Sequence, residues 1–403
     1  MFGQGSSSSS FSLAQAGLLP QEEMLEVGTR RKKLNIGILK ESMPYEYRVV
    51  LTPEAVENLV NEGHDIYIEK GAGEKSNYAD MQYSEKGGII VDEKTKILNA
   101  DVILKVGPLS PKEIDGLKGR QIIISSIQLY NQKIEYFQNL IQKKVTAIAF
   151  EMVRDEYGFL PVVQSMNAIA GNATIIIAGE YLSTSKEGKG VMLGGIPGIT
   201  PTEVIVLGAD TAAEYAIRAA VGMGASVKVF DNSVQKLRLL QEKIGHPLHT
   251  SVFHPKILKK ALRSADVVIG AVYLDDNQPY LVSEEMVKEM KPGTIIVDIS
   301  IDEGGCIETS EPRTHQDPVM VKHGVIHYCV PNMPSRVART ASIALSNVIS
   351  PMLMQMGTLG GMKQFLMEEH GVRHGVYVYN GILTKAKVGQ RFGIPSKDID
   401  LLM

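Results

Sequence analysis

Residues Val204 to Ala216 read VIVLGADTAAEYA: an apolar run, a glycine, then a run that favours helix. The next apolar segment, SVKVFD, ends in Asp231, about 20 residues on, where an acid binds a ribose hydroxyl in dinucleotide-binding folds. Strand, glycine turn, helix, strand and acid make a βαβ unit. Such a unit commits a chain to a parallel sheet with helices on both faces. The turn pattern G-x-G-x-x-G asks for a tight turn, a close backbone approach to pyrophosphate and close helix packing. Here those positions are Gly208, Asp210 and Ala213. Gly208 fits, and Ala213 is small enough to pack. Asp210 places a carboxylate at a helix N-terminus that should receive an anion. At about 4 Å and an effective dielectric of about 20, two like charges repel by about 4 kcal/mol. Thr211 to Glu214 also reads as a capping box, which would occupy that terminus with protein groups. Asp231 favours NAD over its 2′-phosphorylated form. The expectation is a pocket shaped for NAD in which Asp210 opposes binding.

The same alternation runs through the rest of the chain. LNIGILK, DIYIEK, DVILKV, QIIISSI and VTAIAF read as strands before this unit. TPEAVENLVNEG reads as a helix capped by Thr52, with Pro53 in its first turn and Gly63 at its end. A long apolar helix with many small residues is expected from about Met166 to Leu182. SVKVFD, DVVIGAV, GTIIVDIS and VIHYCV extend the second set of strands. After a helix over RTASIALSNVISPMLMQM, the tail through YVYNGILT is too short for a domain. It is expected to return to the first lobe. The predicted fold class is therefore α/β: two doubly wound Rossmann-like domains with parallel sheets, the nucleotide domain inserted in the first. Residues 34–163 plus 338–403 form the substrate domain and 164–337 the nucleotide domain. Residues 1–33, with their run of five serines, form a flexible extension with a short helix around Gln21 to Glu26.

Composition narrows the function classes. At 403 residues and a net charge of −3, the chain carries no basic field for nucleic acid or an anionic membrane. No apolar run approaches the roughly 20 residues needed to span a bilayer. Cys306 and Cys329 lack any CxxC or His/Cys spacing. They read as reduced thiols in a reducing, cytoplasmic setting, and no metal is expected.

Several runs together are more specific: GILKE at Gly37, EYRVVLTPEAV at Glu46, EKGAGE at Glu69, TAIAFE at Thr146 and GVMLGGIPGI at Gly190. To these belong the long run from Glu284 through IDEGGCIETSEPRTHQDPV, HYCVPNMPSRVARTAS at His327 and YNGILT at Tyr379. From Leu34 to Thr384 the chain resembles the alanine dehydrogenases and the NAD-binding subunit of transhydrogenases, more the former. VVQSMNAIAG at Val162 leans toward the latter. The resemblance implies hydride transfer between the Cα of an amino acid and NAD, through an imine, to a 2-oxo acid. It implies a homo-oligomer, often a hexamer. Carried over by position, the substrate-binding arginine is Arg48 and the assisting aspartate is Asp302. Asn332 and Met333 fall near the nicotinamide. The second lysine of a K-V-K pattern is replaced by Gly107, leaving Lys105, and the histidine is replaced by Gln128. Glutamine does not titrate, and loss of a positioned acid/base removes about 10²–10⁴ of rate. His315 is a candidate substitute, His327 reads as structural, and Lys40 lies where ligands gather at strand ends. The expected function is a weak or substrate-shifted dehydrogenase of the alanine type. The alternative is a catalytically silent or transhydrogenase-like nucleotide-binding protein.

Overall fold

The computed structural model describes residues 31–274 and 278–403. The serine run and the helix expected around Gln21 lie outside them. Strands β1 (Asn35–Ile38), β2 (Asp65–Glu69), β3 (Ile89–Val91), β4 (Val102–Leu104), β5 (Ile122–Ser125) and β6 (Thr146–Ala149) pair in parallel in the order β3-β2-β1-β4-β5-β6. Strands β7 (Glu203–Leu207), β8 (Ser226–Phe230), β9 (His249–Ser251), β10 (Val267–Gly270) and β11 (Ile295–Asp298) belong to a second sheet with β12 (Val319–Lys322) and β13 (Val325–Tyr328). There the parallel order is β9-β8-β7-β10-β11-β13. Each sheet thus repeats the doubly wound arrangement, in which order reverses beside the first strand. The central strands β4, β6, β10, β11 and β13 are buried at every position. Helices on both faces leave no solvated side, so these strands read as continuous apolar runs.

The tail completes the first sheet, as its length demands. Strand β14 (Val376–Tyr379) pairs with β6, and β15 (Ile382–Leu383) pairs with β14, both antiparallel. Strand β12 is antiparallel to β13. The sheets are therefore parallel only in their centres, and β3, β9 and β12 were not expected. These three are short, and their residues are largely half-buried or exposed, so they lack the apolar run that marks the others.

Two long helices join the lobes and pack on each other, Pro161–Leu182 and Ala338–Thr358. The first runs unbroken across the boundary expected at 163/164, whereas the second begins at the expected 338. Pro161–Leu182 starts earlier than expected, because Pro161 occupies its first turn. At 22 residues it is long and apolar enough to cross a membrane, by length and composition only, which corrects the expectation that no run approached that length. Its setting is that of a core helix. A Cβ on Gly171 would stand 2.2 Å from the Ala212 carbonyl oxygen. Glycine there lets this helix meet the helix Thr211–Gly222 backbone to backbone. The helix Ala338–Thr358 instead presents serines to the loop after β1. Ser342 Oγ accepts from Val49 N at 2.9 Å, and Ser346 Oγ from Thr52 N at 2.7 Å. Just before it, Ser335 Oγ accepts from Tyr47 N at 2.9 Å and donates to Tyr45 O at 2.8 Å. The loop that carries Arg48 is thereby fastened to a helix whose Leu345, Ile349 and Leu353 pack into the core of the first lobe.

Candidate active site

Strands β1, β4, β5 and β6 are neighbours, and the segments leaving their C-terminal ends supply Glu41 and Arg48, Gly107, Gln128 and Glu151. Opposite them stand the segments leaving β11 and β13, with Asp302 and Asn332. Arg48 grips Glu46 in a fork, with Nε 2.8 Å from Oε1 and Nη2 2.6 Å from Oε2. Burial works against both charges, but each outweighs that for the other. Glu46 stays below the usual carboxylate range and Arg48 above its ordinary value. Asn332 Nδ2 donates to Glu46 Oε2 at 2.9 Å, and Asn332 N donates to Asp302 Oδ1 at 2.9 Å. A continuous chain of polar contacts therefore runs from Arg48 through Glu46 and Asn332 to Asp302, across the two lobes. Asp302 keeps an exposed surface, yet the surrounding protein raises its carboxyl pKa, opposed by the Asn332 N–H and by Arg48. Asn332 and Gln128 both hold left-handed backbone, φ 54 and 45. Asparagine tolerates that conformation, and glutamine in it is uncommon.

The structure gives Lys105 a different place from the one expected. Its ammonium is fully buried, 2.8 Å from Glu113 Oε2, 3.1 Å from Ser42 Oγ and 3.3 Å from Pro108 O. Glu113 also closes a capping box with Ser110 and pairs with Lys94 at 3.0 Å. Lys105 thus braces the β4 turn against Ser42, Pro108 and Glu113. Met333 is buried, and its sulfur lies 3.5 Å from Thr174 Oγ1, under the long helix.

At Gly107, a Cβ would lie 2.6 Å from Met43 Sδ and 3.2 Å from Glu41 Oε2. Methionine and glutamate fill the space beside the missing lysine. Glu41 Oε1 accepts from Val106 N at 2.6 Å and from Gly107 N at 3.3 Å. Burial pushes its carboxyl up from 4.5 to about 7, against the attraction of Lys105 and with added repulsion from Glu46. Between those two values the folded protein holds a proton that the unfolded chain has lost, so stability falls as pH rises through that window. The full loss is on the order of 3 kcal/mol. Glu41→Gln keeps an acceptor for both N–H groups and is expected to gain that stability above neutrality and little below pH 4.5. Urea unfolding of both proteins across this range checks it. A difference independent of pH would show that Glu41 is ionised throughout.

The nucleotide turn also differs from its reading as sequence. Asp210, not Thr211, caps the helix Thr211–Gly222, and no side chain makes the capping bond. The expected capping box is therefore absent. With the cap one residue earlier, Glu214 falls too late to reach back. It pairs with Arg218 at 2.9 Å and Lys243 at 3.0 Å. Asp210 turns outward to Lys236 Nζ at 2.7 Å, both side chains half exposed. That corrects the electrostatic objection: the carboxylate is paired rather than aimed along the helix axis. Gly208 has φ 108, and a Cβ there would lie 2.5 Å from Ala271 O, so no other residue fits the turn. Ala213 is fully buried. Asp231 is buried at the end of β8 and accepts from Ser233 N at 2.7 Å. An open helix terminus, a glycine turn and an acid on the next strand are a donor set that fits a dinucleotide.

Of the residues singled out from sequence, Arg48, Gln128, Asp302 and Asn332 come to the facing strand ends. Gly208, Asp210, Ala213 and Asp231 form the nucleotide turn. His327 is buried and neutral: Nδ1 donates to Val325 O at 3.0 Å, Nε2 accepts from Thr309 Oγ1 at 2.8 Å, and desolvation lowers its pKa to about 4. His315 lies between the rings of Tyr45 and Tyr47, behind Glu46. Burial lowers its pKa against a hydrogen bond to the Asn332 backbone. Lys40 faces Glu74 at 3.6 Å on the surface. Sequence reasoning passed over Glu41, Glu46 and Glu151 as site residues. Their position immediately after β1 and β6 was the available signal.

The N-terminal domain of the alanine dehydrogenase/PNT family matches residues 37–170, and its C-terminal domain matches residues 174–386. Alanine dehydrogenase of Staphylococcus saprophyticus is 37% identical over 367 residues, covering 91% of this chain and 98% of the relative. That of Methanococcus maripaludis is 38% identical over 363 residues, covering 89% and 97%. A solved L-alanine dehydrogenase superposes with a TM-score of 0.84 at 32% identity, over 89% of this chain and 99% of the other. A transhydrogenase from Sinorhizobium meliloti gives 0.75 at 25% identity, over 88% and 99%.

Proposed function

Because the chain belongs to the alanine dehydrogenase/PNT family, we propose that it is an NAD-dependent oxidoreductase of a small amino acid and its 2-oxo acid. L-Alanine and pyruvate are the parent pair, turned over weakly or displaced by a related substrate. The observation that carries this reading is the polar chain Arg48–Glu46–Asn332–Asp302, which joins the two facing sets of strand ends. Arg48 spends Nε and Nη2 on Glu46. Its Nη1, 3.3 Å from the Met166 sulfur, has the weakest partner and is the donor for a substrate carboxylate. Asp302 holds the backbone of Asn332, so substrate-side and cofactor-side loops are positioned together. Gly208, the open terminus at Thr211 and Asp231 would hold NAD, which supplies the acceptor for a hydride. Gly107 and Gln128 weaken polarisation of the carbonyl and remove the usual proton shuttle. These same two residues favour a second reading, nucleotide binding without amino-acid turnover, silent or transhydrogenase-like. We place the protein in the cytoplasm as a homo-oligomer, in keeping with its two free thiols and the exposed apolar side chains of Ile176, Met192, Ile199 and Met223.

Calorimetric titration with NADH, together with NADH formation on L-alanine, separates these readings. NADH is expected to bind both the wild type and Asp210→Gly, with dissociation constants that differ by less than about tenfold, because an exposed ion pair contributes at most about 1 kcal/mol. Slow but alanine-dependent NADH formation is the expected turnover. Binding without turnover of any amino acid selects the second reading. A gain of about a thousandfold in Asp210→Gly would restore the charge repulsion that Lys236 removes.

A further inference from the structure

Two buried polar atoms near Gln128 have no partner among the described residues: Ser126 Oγ and Glu151 Oε2. Ser126 leaves the end of β5 together with Gln128, and Glu151 leaves the end of β6, the neighbouring strand. Ser126 N donates to Val106 O at 3.0 Å, next to Gly107. Glu151 Oε1 accepts from Ile127 N at 2.7 Å, and the Gln128 N–H also faces this carboxyl. One oxygen of Glu151 is thus fixed by the backbone that presents Gln128, while the other meets nothing. A buried carboxylate oxygen without a donor is costly, and the group avoids that cost by taking up a proton. A protonated oxygen without an acceptor is itself unsatisfied, so the arrangement is complete only with a ligand that can give and take a proton.

We propose that Glu151 is the proton-carrying group of this cleft, acting on the substrate in place of the histidine that the family resemblance puts at position 128. The proposal rests on the dehydrogenase reading for its substrate. Burial raises the pKa of Glu151, opposed by the backbone N–H donors and by Arg48, so the group is drawn toward neutrality, where exchange is efficient. In the oxidative direction the substrate enters as the neutral amine, its ammonium proton left in solvent; the Cα–H bond breaks and its electron pair would leave as hydride to NAD, giving an iminium. Water adds to the iminium carbon, and one of its protons passes to Glu151. That proton moves to the amino nitrogen. The C–N bond then breaks as the hydroxyl oxygen forms the carbonyl and returns its proton to Glu151. The products are the 2-oxo acid, ammonia and one proton, released to solvent as the carboxyl resets.

Glu151→Gln preserves the acceptor for Ile127 N and abolishes the exchange. In the full-length protein, infrared spectroscopy is expected to show a protonated-carboxyl band that Glu151→Gln removes. It persists above the ordinary carboxylate range and shifts when oxamate, an unreactive 2-oxo-acid mimic, binds beside NADH. Steady-state assays are expected to show kcat reduced about 10²–10⁴-fold with KM little changed, and loss of the matching limb of the pH profile. Glu151→Gln/Gln128→His is expected to recover at least about tenfold of that loss. A band that ionises in the ordinary carboxylate range, or a Glu151→Gln enzyme that keeps the wild-type pH limb, overturns the proposal. A wild type that turns over no amino acid sinks the dehydrogenase reading by itself. Glu151 is then decided by the infrared titration: a band that persists above the ordinary carboxylate range and responds to oxamate supports it, and one that does not overturns it.

Discussion

Lys105→Met is expected to cost about 3–5 kcal/mol of stability, because it deletes one partner of a buried ion pair. Lys105 has no exposed surface, and Glu113 keeps only 3% of its side-chain surface. Burial disfavours the Glu113 carboxylate, and the ammonium of Lys105 is the main group that keeps it ionised. With methionine at 105, Glu113 retains Lys94 and the Ser110 N–H. Ser42 Oγ and the Pro108 carbonyl lose a donor. Lys105→Met/Glu113→Gln is expected to be less damaging than the sum of the single changes, since the two groups are in direct contact. Urea denaturation of the single and double variants measures both quantities. A loss below about 1 kcal/mol, with oxamate affinity abolished, would return Lys105 to the cleft as a substrate ligand.

Arg48→Lys is expected to weaken oxamate binding in the presence of NADH by roughly 10- to 150-fold, the equivalent of one charge-assisted hydrogen bond of about 1.5–3 kcal/mol. Lysine keeps the charge and loses the planar fork. A single ammonium cannot satisfy both oxygens of Glu46 and still donate to a substrate. The Glu46–Asn332 contact then carries a carboxylate short of one donor, so some stability is lost as well. Calorimetry with oxamate reads the first effect and thermal unfolding the second. Unchanged oxamate affinity together with lowered stability would make Arg48 a bridge between lobes and nothing more.

The lobes themselves were legible as sequence for a simple reason. Strands buried on both faces must be apolar throughout, and the glycine turn after VIVL admits no side chain, so each leaves a local trace. Arg48, Gln128, Asp302 and Asn332 were marked by the family resemblance of the runs that hold them, and all four lie after strand ends. What the chain order could not convey is where a side chain turns once it leaves the backbone. Lys105 and Gly107 are two residues apart, yet one enters a buried ion pair and the other is packed against Met43 and Glu41. Asp210 looked like a charge against a phosphate until the start of the following helix brought Lys236 beside it. Glu151 lies about a hundred residues from Glu41 and Glu46 in the chain, and it comes near the same guanidinium only when neighbouring strands align. Composition and periodicity therefore decide which surfaces are buried. Electrostatic environment depends on where each side chain turns and which strands and helices stand beside it, and that exists only once the sheets have formed and the two lobes face each other.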